Sequence, residues 1–193
     1  MSQDDQIRWN RQPAQSDGME DPSSFLRQIL ESGSWDVRPA TALDIACGKG
    51  RNALYLADRG FHVTAIDISA VALNSGRQQA QARSLSIDWQ LADLEELRLK
   101  AAEYDLIVSI NYLQRPLIPQ IKAALKTGGH LIFETYLFDR RAIGHPENPA
   151  YLLTQNELLE HFREFRVLYY REGRFRDRGE PRFRAGILAQ KIA

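Results

Sequence analysis

The sequence predicts an α/β protein with a doubly wound, mostly parallel sheet that carries helices on both faces. From residue 41 to about residue 135, short apolar runs alternate with helical patterns, and such alternation is typical of a parallel sheet. The last two apolar runs are joined by a polar turn with no helical pattern between them. We therefore expect the final two strands to pair antiparallel.

The predicted elements follow one another closely along the chain. A helix begins at Asp21-Pro22, a capping aspartate followed by proline at the first helical position, and Gly33 ends it. Further helices are predicted over residues 51–59, 70–83, 116–125 and 155–163. Strands are predicted over residues 42–46, 61–66, 86–91, 104–110, 130–135, 165–171 and 183–190. Gly173 and Gly179 are assigned to the turn between the last two strands.

Length and composition limit the domain organisation and the function classes. The 193 residues suffice for one domain, which we place at residues 21–193. Residues 1–20 are polar, and two interpretations stay open for them: a frayed terminus, or an arm or lid over a ligand. Basic and acidic residues balance at 25 each, which gives none of the positive surplus of a generic nucleic-acid binder.

The cysteine count, the length of the apolar runs and the spacing of the histidines predict the location and the metal content of the protein. It has one cysteine, Cys47, so no internal disulfide is expected. No apolar run approaches the length that crosses a bilayer, and the polar start does not resemble a signal peptide. The four histidines show no metal-ligand spacing. We therefore expect a cytoplasmic protein, monomer or homodimer, without a metal and without a membrane partner.

A glycine loop follows the first predicted strand. Gly48 and Gly50, followed by Ala53 and later by Asp67 at the end of the second strand, fit the loose dinucleotide fingerprint. Glycines let a backbone approach a ligand closely, and a carboxylate after the second strand can accept both hydroxyls of a ribose. The pattern suits a nicotinamide or an S-adenosylmethionine site, and a tight turn without a ligand is the third interpretation.

Three details favour S-adenosylmethionine over a nicotinamide. Asp44 lies in the first strand, four residues before Gly48; it would repel a pyrophosphate but suits an ammonium and a sulfonium. Asp93 follows the third strand and can accept the adenine amino group, although a turn aspartate is the alternative. No Tyr-x-x-x-Lys pair, common in dehydrogenases, occurs in the sequence.

These residues resemble a known family. Residues 43–52, LDIACGKGRN, are similar to the first motif of class I S-adenosylmethionine-dependent methyltransferases. More narrowly, residues 50–52, 63–69, 111–117 and 133–136 resemble the tellurite-resistance-like and thiopurine-methyltransferase-like branch. The resemblance implies a Rossmann-like methyltransferase sheet of strand order 3-2-1-4-5-7-6, with strand 7 antiparallel.

The resemblance also implies a cofactor site at the carboxyl ends of the first four strands. The cofactor-binding residues are then Asp44, Ala46, Gly48, Gly50, Asn52, Asp67, Ile68, Asp93, Leu94, Ile110 and Asn111. By the same resemblance Ala46 and the two glycines would face the methionine part, Asp67 the ribose and Ile68 the adenine. Asp93 and Leu94 would frame the adenine edge, and Ile110 and Asn111 would lie under the sulfonium.

Candidate catalytic residues lie after strands four and five. They are Arg115, which would hold an oxyanion or carboxylate or else face solvent; Tyr112, an aromatic wall; and His145, in the loop after strand five. Cys47 is either a nucleophile or, as we favour, a small buried residue. The final hairpin is rich in arginine and is interpreted as a solvated face or as an anion-binding rim; the residues are Arg171, Arg174, Arg176, Arg178, Arg182 and Arg184.

The expected function is methyl transfer from S-adenosylmethionine to a small nucleophile. No acid–base dyad is evident, which suits a thiol or chalcogen oxyanion that needs little proton removal. The turn Asn111-Tyr112-Leu113 differs from the Asn-Pro-Pro-Tyr motif used on planar amino groups. Two alternatives stay open: a non-catalytic S-adenosylmethionine-binding module and a nicotinamide-dependent oxidoreductase.

Overall fold

The computed structural model describes residues 21–138, 148–177 and 180–193. The predicted arm or lid over residues 1–20 and the candidate His145 lie outside the described residues. The helices are α1 (Ser24–Glu31), α2 (Arg51–Asp58), α3 (Ala70–Ala82), α4 (Ile118–Ala124) and α5 (Glu157–His161). The strands are β1 (Thr41–Ile45), β2 (His62–Asp67), β3 (Ile87–Leu91), β4 (Tyr104–Ile110), β5 (Leu125–Tyr136), β6 (Arg166–Asp177) and β7 (Glu180–Gln190).

The sheet has the predicted order, β3-β2-β1-β4-β5-β7-β6. The strands from β3 to β5 are parallel, and β7 runs antiparallel to both β5 and β6, so the predicted order and the antiparallel hairpin are confirmed. The hairpin is longer than predicted. Gly173 was assigned to its turn but lies inside β6 opposite Arg184, because backbone pairing continues out to Asp177 and Glu180.

Helix α1 begins later than predicted. Its N-cap is Ser23, whose hydroxyl accepts from the backbone N–H groups of Phe25 and Leu26, so Asp21 is not the cap. Ser23 also donates its own backbone N–H to Oδ1 of Asn52, at 2.9 Å. A serine caps a helix as well as an aspartate does, and this one also ties the start of α1 to helix α2.

Two later helices are shorter than predicted. Helix α4 ends at Ala124 because Leu125 already pairs with β4, which places Gly128 and Gly129 inside β5. Helix α5 begins at Glu157, after Asn156 adopts a positive φ of 62°, so Thr154 is not its N-cap. Ser69, by contrast, caps α3 as expected.

A hydrophobic core lies on each face of the sheet. One core packs α1 and α2 on β1, β2 and β4; its largest fully buried members include Phe25, Leu26 and Leu56. The other packs α4 and α5 on the opposite face, with Phe133 and Phe162 tilted against each other. Within the described ranges, no helix is long and apolar enough to cross a membrane, and no three potential metal ligands converge.

Candidate cofactor and acceptor site

The candidate site lies where the strand order reverses, between β1 and β4. In doubly wound sheets, ligands bind at this point, beyond the carboxyl ends of the strands. The residues that directly follow the two strands, Ala46 and Asn111, have positive φ angles of 52° and 62°. Non-glycine residues rarely adopt this conformation, which is costly and concentrates at functional sites.

The two glycines of the loop have different surroundings. Both have positive φ, 57° for Gly48 and 77° for Gly50, the N-cap of α2. A Cβ atom on Gly50 would lie 2.2 Å from Cη2 of Trp89, whereas a Cβ on Gly48 would meet nothing within 4 Å. Gly50 therefore makes room for the indole, and Gly48 borders open space where a ligand can approach the backbone.

Asp67, at the end of β2, holds the glycine loop. Its Oδ2 accepts the backbone N–H of Gly48 at 2.7 Å, and its Oδ1 accepts that of Ser69 at 2.8 Å. Burial raises the pKa of Asp67 above its ordinary value, while these backbone donors oppose the rise. Each carboxylate oxygen has a second lone pair, so the group retains acceptor capacity for two ribose hydroxyls.

Asp44 is a buried carboxylate with an unused oxygen. It is 1% exposed, and its Oδ2 has no hydrogen-bond partner among the described residues. Burial raises its pKa to about 7, although Arg51 and the backbone N–H of Ala53 act in the opposite direction. A buried acceptor without a partner is costly. The cationic methionine end of S-adenosylmethionine would compensate this oxygen, so the residues present fit that cofactor.

Asn52 has a structural contact that sequence reasoning did not anticipate. Its side chain is buried and accepts the backbone N–H of Ser23, so it joins the first turn of α2 to α1. A direct contact between Asn52 and the cofactor stays a prediction.

The predicted adenine and sulfonium residues border the same edge of the sheet. Asp93 accepts the backbone N–H of Glu95 at 2.9 Å, which is the turn role considered above. Leu94 packs its side chain in the core, so only its backbone remains for an adenine. Ile68 and Ile110 are 7% and 6% exposed at the ends of β2 and β4. Their contacts with a cofactor stay predictions.

Arg115 differs from the sequence expectation. Its Nε and Nη2 donate to the two carboxylate oxygens of Glu157 at 2.7 and 3.0 Å. Nη1 and Nη2 also donate to the backbone carbonyls of Ala150 and Leu152. Four of its five donors are thus used to hold the 3-10 turn Pro149–Tyr151 against α5. The geometry favours this structural role over contact with an acceptor oxyanion.

Tyr112 and Cys47 are both held protonated. Burial raises the pKa of Tyr112, and the carboxylates of Glu95 and Asp93 raise it further. Its hydroxyl donates to Oε1 of Gln114 at 2.7 Å. Burial also raises the pKa of the Cys47 thiol well above its ordinary value. Tyr112 is therefore a poor candidate for a base, and its role as an aromatic wall stays a prediction. Cys47 is the small buried residue that we favoured.

Sequence reasoning missed a buried charge cluster beside Asn111. We define the buried charge cluster as Glu134 in β5, Arg171 in β6 and Arg184 in β7. Arg171 and Arg184 contact the two oxygens of Glu134 at 2.6 and 3.0 Å, and Arg184 also donates to Oδ1 of Asn111. Arg184 and Glu134 are each 1% exposed. The interpretation of the hairpin arginines as a solvent-exposed face is therefore wrong for Arg184. The one signal in the sequence is a glutamate inside the apolar run 131–136.

Replacing Arg115 by alanine should reduce stability in a pH-dependent way. Burial alone would raise the pKa of Glu157, but hydrogen bonds from Arg115 and Thr154 lower it from 4.5 to about 2. The stability from a lowered carboxyl pKa is fully present above pH 4.5 and is lost as pH falls through about 2. We expect Arg115→Ala to lose roughly 1–3 kcal/mol of unfolding free energy at pH 7.

Urea denaturation at several pH values checks this. The difference in unfolding free energy between Arg115→Ala and the parent protein should become smaller as pH falls toward 2. A difference in unfolding free energy that is the same at every pH would contradict the ion pair of Arg115 with Glu157 as the source of the stability. A loss of methyl transfer at unchanged stability would instead support the acceptor contact predicted from sequence.

Replacing Asp67 by alanine should weaken S-adenosylmethionine binding roughly ten- to a hundredfold, because charge-assisted hydrogen bonds to ribose hydroxyls are lost. Titration calorimetry on the folded variant measures this. Asp88→Ala is the matched control, since Asp88 lies exposed on neighbouring β3 and should leave the affinity unchanged. Equal affinities for the two variants would reject Asp67 as the ribose ligand.

Comparison with known proteins agrees with the fold and with the glycine loop. Residues 42–129 match the family described as a methyltransferase domain. The chain is 29% identical over 144 residues to a probable S-adenosyl-L-methionine-dependent methyltransferase, TehB, of Haemophilus influenzae; the match covers 70% of this chain and 49% of that protein. It is 35% identical over 98 residues to a ubiquinone biosynthesis O-methyltransferase of Coxiella burnetii, covering 48% and 42%. The chain thus spans about half the length of these relatives.

Solved structures share the architecture. The crystal structure of TehB from Haemophilus influenzae superposes with a TM-score of 0.73 at 23% identity, covering 83% of this chain and 60% of that one. A protein titled the [4+2]-cyclase SpnF superposes with a TM-score of 0.69 at 20% identity, covering 86% and 80%. The chain therefore has the sheet order expected for class I S-adenosylmethionine-dependent methyltransferases, its residues 42–129 are similar to a methyltransferase domain, and TehB of Haemophilus influenzae shares its fold.

Proposed function

We propose that the chain transfers a methyl group from S-adenosylmethionine to a small-molecule nucleophile. The observation that carries this proposal is the unpartnered, buried Oδ2 of Asp44. Such an oxygen, in the strand that leads into the glycine loop four residues before Gly48, favours a ligand with a positive charge and disfavours the pyrophosphate of a nicotinamide cofactor. When bound, S-adenosylmethionine supplies a methyl group on a positive sulfur.

The residues of the chain bind and align this cofactor. Asp67 would accept the ribose hydroxyls while its bonds to Gly48 and Ser69 fix the loop. The backbone turns at Ala46 and Asn111 would border the methionine part and the sulfonium. Alignment of donor and acceptor in a site that excludes water supplies much of the rate of such a transfer.

The acceptor that best suits the site is a nucleophile that reacts without a general base from the protein. Tyr112 is held protonated by burial, which raises its pKa, and so is Cys47, so neither serves as a general base near neutral pH. A thiol, which ionises readily, or a chalcogen oxyanion needs little help from a base. The balanced net charge also gives no electrostatic attraction for a polyanionic substrate.

The relatives support this choice and offer alternatives. One relative is named TehB and another is named as an O-methyltransferase of ubiquinone biosynthesis, so an oxygen nucleophile is the second acceptor class to test. The cyclase title of one structural neighbour shows that this fold also occurs in proteins titled for another reaction. A module that binds S-adenosylmethionine without turnover is therefore the second candidate function.

An acceptor screen tests the substrate class. Purified protein and S-adenosylmethionine are incubated with small thiols, selenite, tellurite, phenols, tRNA, DNA and a protein mixture, and S-adenosylhomocysteine is measured. We expect turnover with a small thiol or a chalcogen oxyanion. Strong turnover with a macromolecule and none with small acceptors would reject the small-molecule class and leave the cofactor assignment intact.

A further inference from the structure

We propose that Trp89 is a positioning residue for the cofactor: its indole holds the glycine loop, residues 46–50, in the shape that receives S-adenosylmethionine. This inference rests on the proposed function, because the shape of the loop matters for binding only if the cofactor lies there. It assigns a role in cofactor binding to a side chain of β3 that is not among the predicted site residues.

The indole occupies the space beside two glycines that belong to different elements. A Cβ atom on Gly50, the N-cap of α2, would overlap atoms Cη2 and Cζ3 of Trp89. A Cβ on Gly76, in the middle of α3, would lie 2.5 Å from the same Cη2 and 2.7 Å from the same Cζ3. The outer edge of the indole is therefore wedged between the glycine loop and α3, and neither side has a side chain where the ring fits.

Helix α3 also packs directly against the loop. A Cβ on Gly76 would lie 2.8 Å from the backbone carbonyl oxygen of Lys49, closer than packed atoms approach. The loop is thus held at two places. Asp67 accepts the backbone N–H of Gly48, and α3 together with Trp89 packs against Lys49 and Gly50.

Trp89 is itself fixed by elements other than the loop. It pairs with Ala65 of β2, and its carbonyl oxygen accepts from Nη2 of Arg77 in α3 at 3.1 Å. Nη1 of the same arginine donates to Oδ1 of Asn74. The indole packs against the core that lies under α1 and α2. The support for the loop is therefore built by β2, β3 and α3.

A loop that is held in place binds its ligand more tightly than a mobile loop. Gly48 and Gly50 both have positive φ, and glycine loses more conformational freedom on ordering than any other residue. Ordering one backbone residue costs on the order of tenfold in an equilibrium constant. A wedge that orders the loop in the free protein removes this cost from cofactor binding.

Replacing the indole tests the proposal. Trp89→Leu removes the ring atoms that meet the two glycines and should weaken S-adenosylmethionine binding about tenfold in titration calorimetry. Trp89→Phe keeps an aromatic ring and should restore part of the affinity. Trp35→Leu is the matched control, since Trp35 packs against Tyr169 of β6, at the opposite edge of the sheet; its affinity should equal that of the parent protein.

Two shorter or altered ligands separate positioning from folding. S-adenosylhomocysteine keeps the amino-acid part of the cofactor, so Trp89→Leu should weaken its binding as much as that of S-adenosylmethionine. 5′-Methylthioadenosine lacks the amino-acid part that is expected to lie against the loop, so its affinity should change little. A role of the indole in folding alone would not distinguish these ligands.

Gly76→Ala separates the position of the loop from the stability of the helix. Alanine is a better helix former than glycine, so the change favours α3 itself. Its methyl group would push on Trp89 and on the carbonyl of Lys49, so S-adenosylmethionine affinity should fall about tenfold while circular dichroism stays the same. Combined with Trp89→Leu, the loss should be smaller than the product of the two separate losses, because the indole is gone. Gln78→Ala, exposed on the same helix, should bind like the parent protein.

Other outcomes would overturn the proposal. Unchanged affinity in Trp89→Leu would reject the role of the indole and leave the proposed function standing. Losses in Trp89→Leu and Gly76→Ala that simply multiply would mean that the two residues do not act through one contact. An equal loss for S-adenosylmethionine and 5′-methylthioadenosine would identify a merely structural role. Absence of S-adenosylmethionine binding by the parent protein would reject the proposed function and this role together.

Discussion

Gly48→Val should abolish measurable binding of S-adenosylmethionine, a loss of more than about a hundredfold, while the chain still folds. A Cβ on Gly48 meets nothing within 4 Å, so the first carbon of an added side chain has room in the free protein. The valine side chain would then fill the space in which the methionine part of the cofactor is expected to lie against the loop. Titration calorimetry measures the binding, and circular dichroism confirms the fold.

The backbone strain of that substitution needs its own control. Gly48 has a φ of 57°, which costs a valine roughly 1–2 kcal/mol whatever the space around it. Gly128 is the control position: it has a φ of 84°, and an added Cβ there would also meet nothing within 4 Å. It lies in β5, before the residue His130 at which the pairing of β5 with β4 resumes. Gly128→Val should show similar strain and unchanged binding. Normal binding by Gly48→Val would mean that the loop is only a turn.

Glu134→Ala should reduce the free energy of unfolding by about 3–5 kcal/mol, the range for breaking a buried ion pair by removing one partner. Glu134 and Arg184 are each 1% exposed, and Arg171 contacts the same carboxylate. Without the glutamate, two buried guanidinium groups lose their shared counter-charge. Urea denaturation of the purified variant measures the loss.

An exposed ion pair provides the comparison for Glu134. Glu164 contacts Lys122 at 2.6 Å, with the glutamate side chain 52% exposed. Exposed pairs contribute little, so Glu164→Ala should cost less than about 1 kcal/mol. If Glu134→Ala cost no more than Glu164→Ala, the cluster would not stabilise the fold in the way its burial implies.

Most of the sheet could be predicted because its signals are local. Apolar runs and the helices between them specify parallel strands, whereas the order of the strands was predicted from the family resemblance. Element ends were less predictable, since tertiary contacts decide them. Ser23 caps α1 where Asp21 was expected, and its N–H group bonds to Asn52, 29 positions away.

The residues of the candidate cofactor site could also be predicted from local sequence signals. Asp44, Gly48 and Asp67 follow directly from their place at the ends of the first two strands. Arg115 and Arg184 could not be assigned in this way, because their partners are distant in sequence. Arg115 bonds to Glu157, 42 positions on, and Arg184 bonds to Asn111, 73 positions back. An arginine-rich hairpin in a sequence does not show which arginine the fold buries.

The most direct test of the account is conversion of S-adenosylmethionine to S-adenosylhomocysteine. The parent protein and Gly48→Val are each incubated with labelled cofactor and a small thiol, and both product and bound cofactor are measured. We predict turnover by the parent protein and none by the variant, with transfer dependent on the thiol. Tight binding without turnover for every acceptor would contradict the account and identify the chain as a binding module.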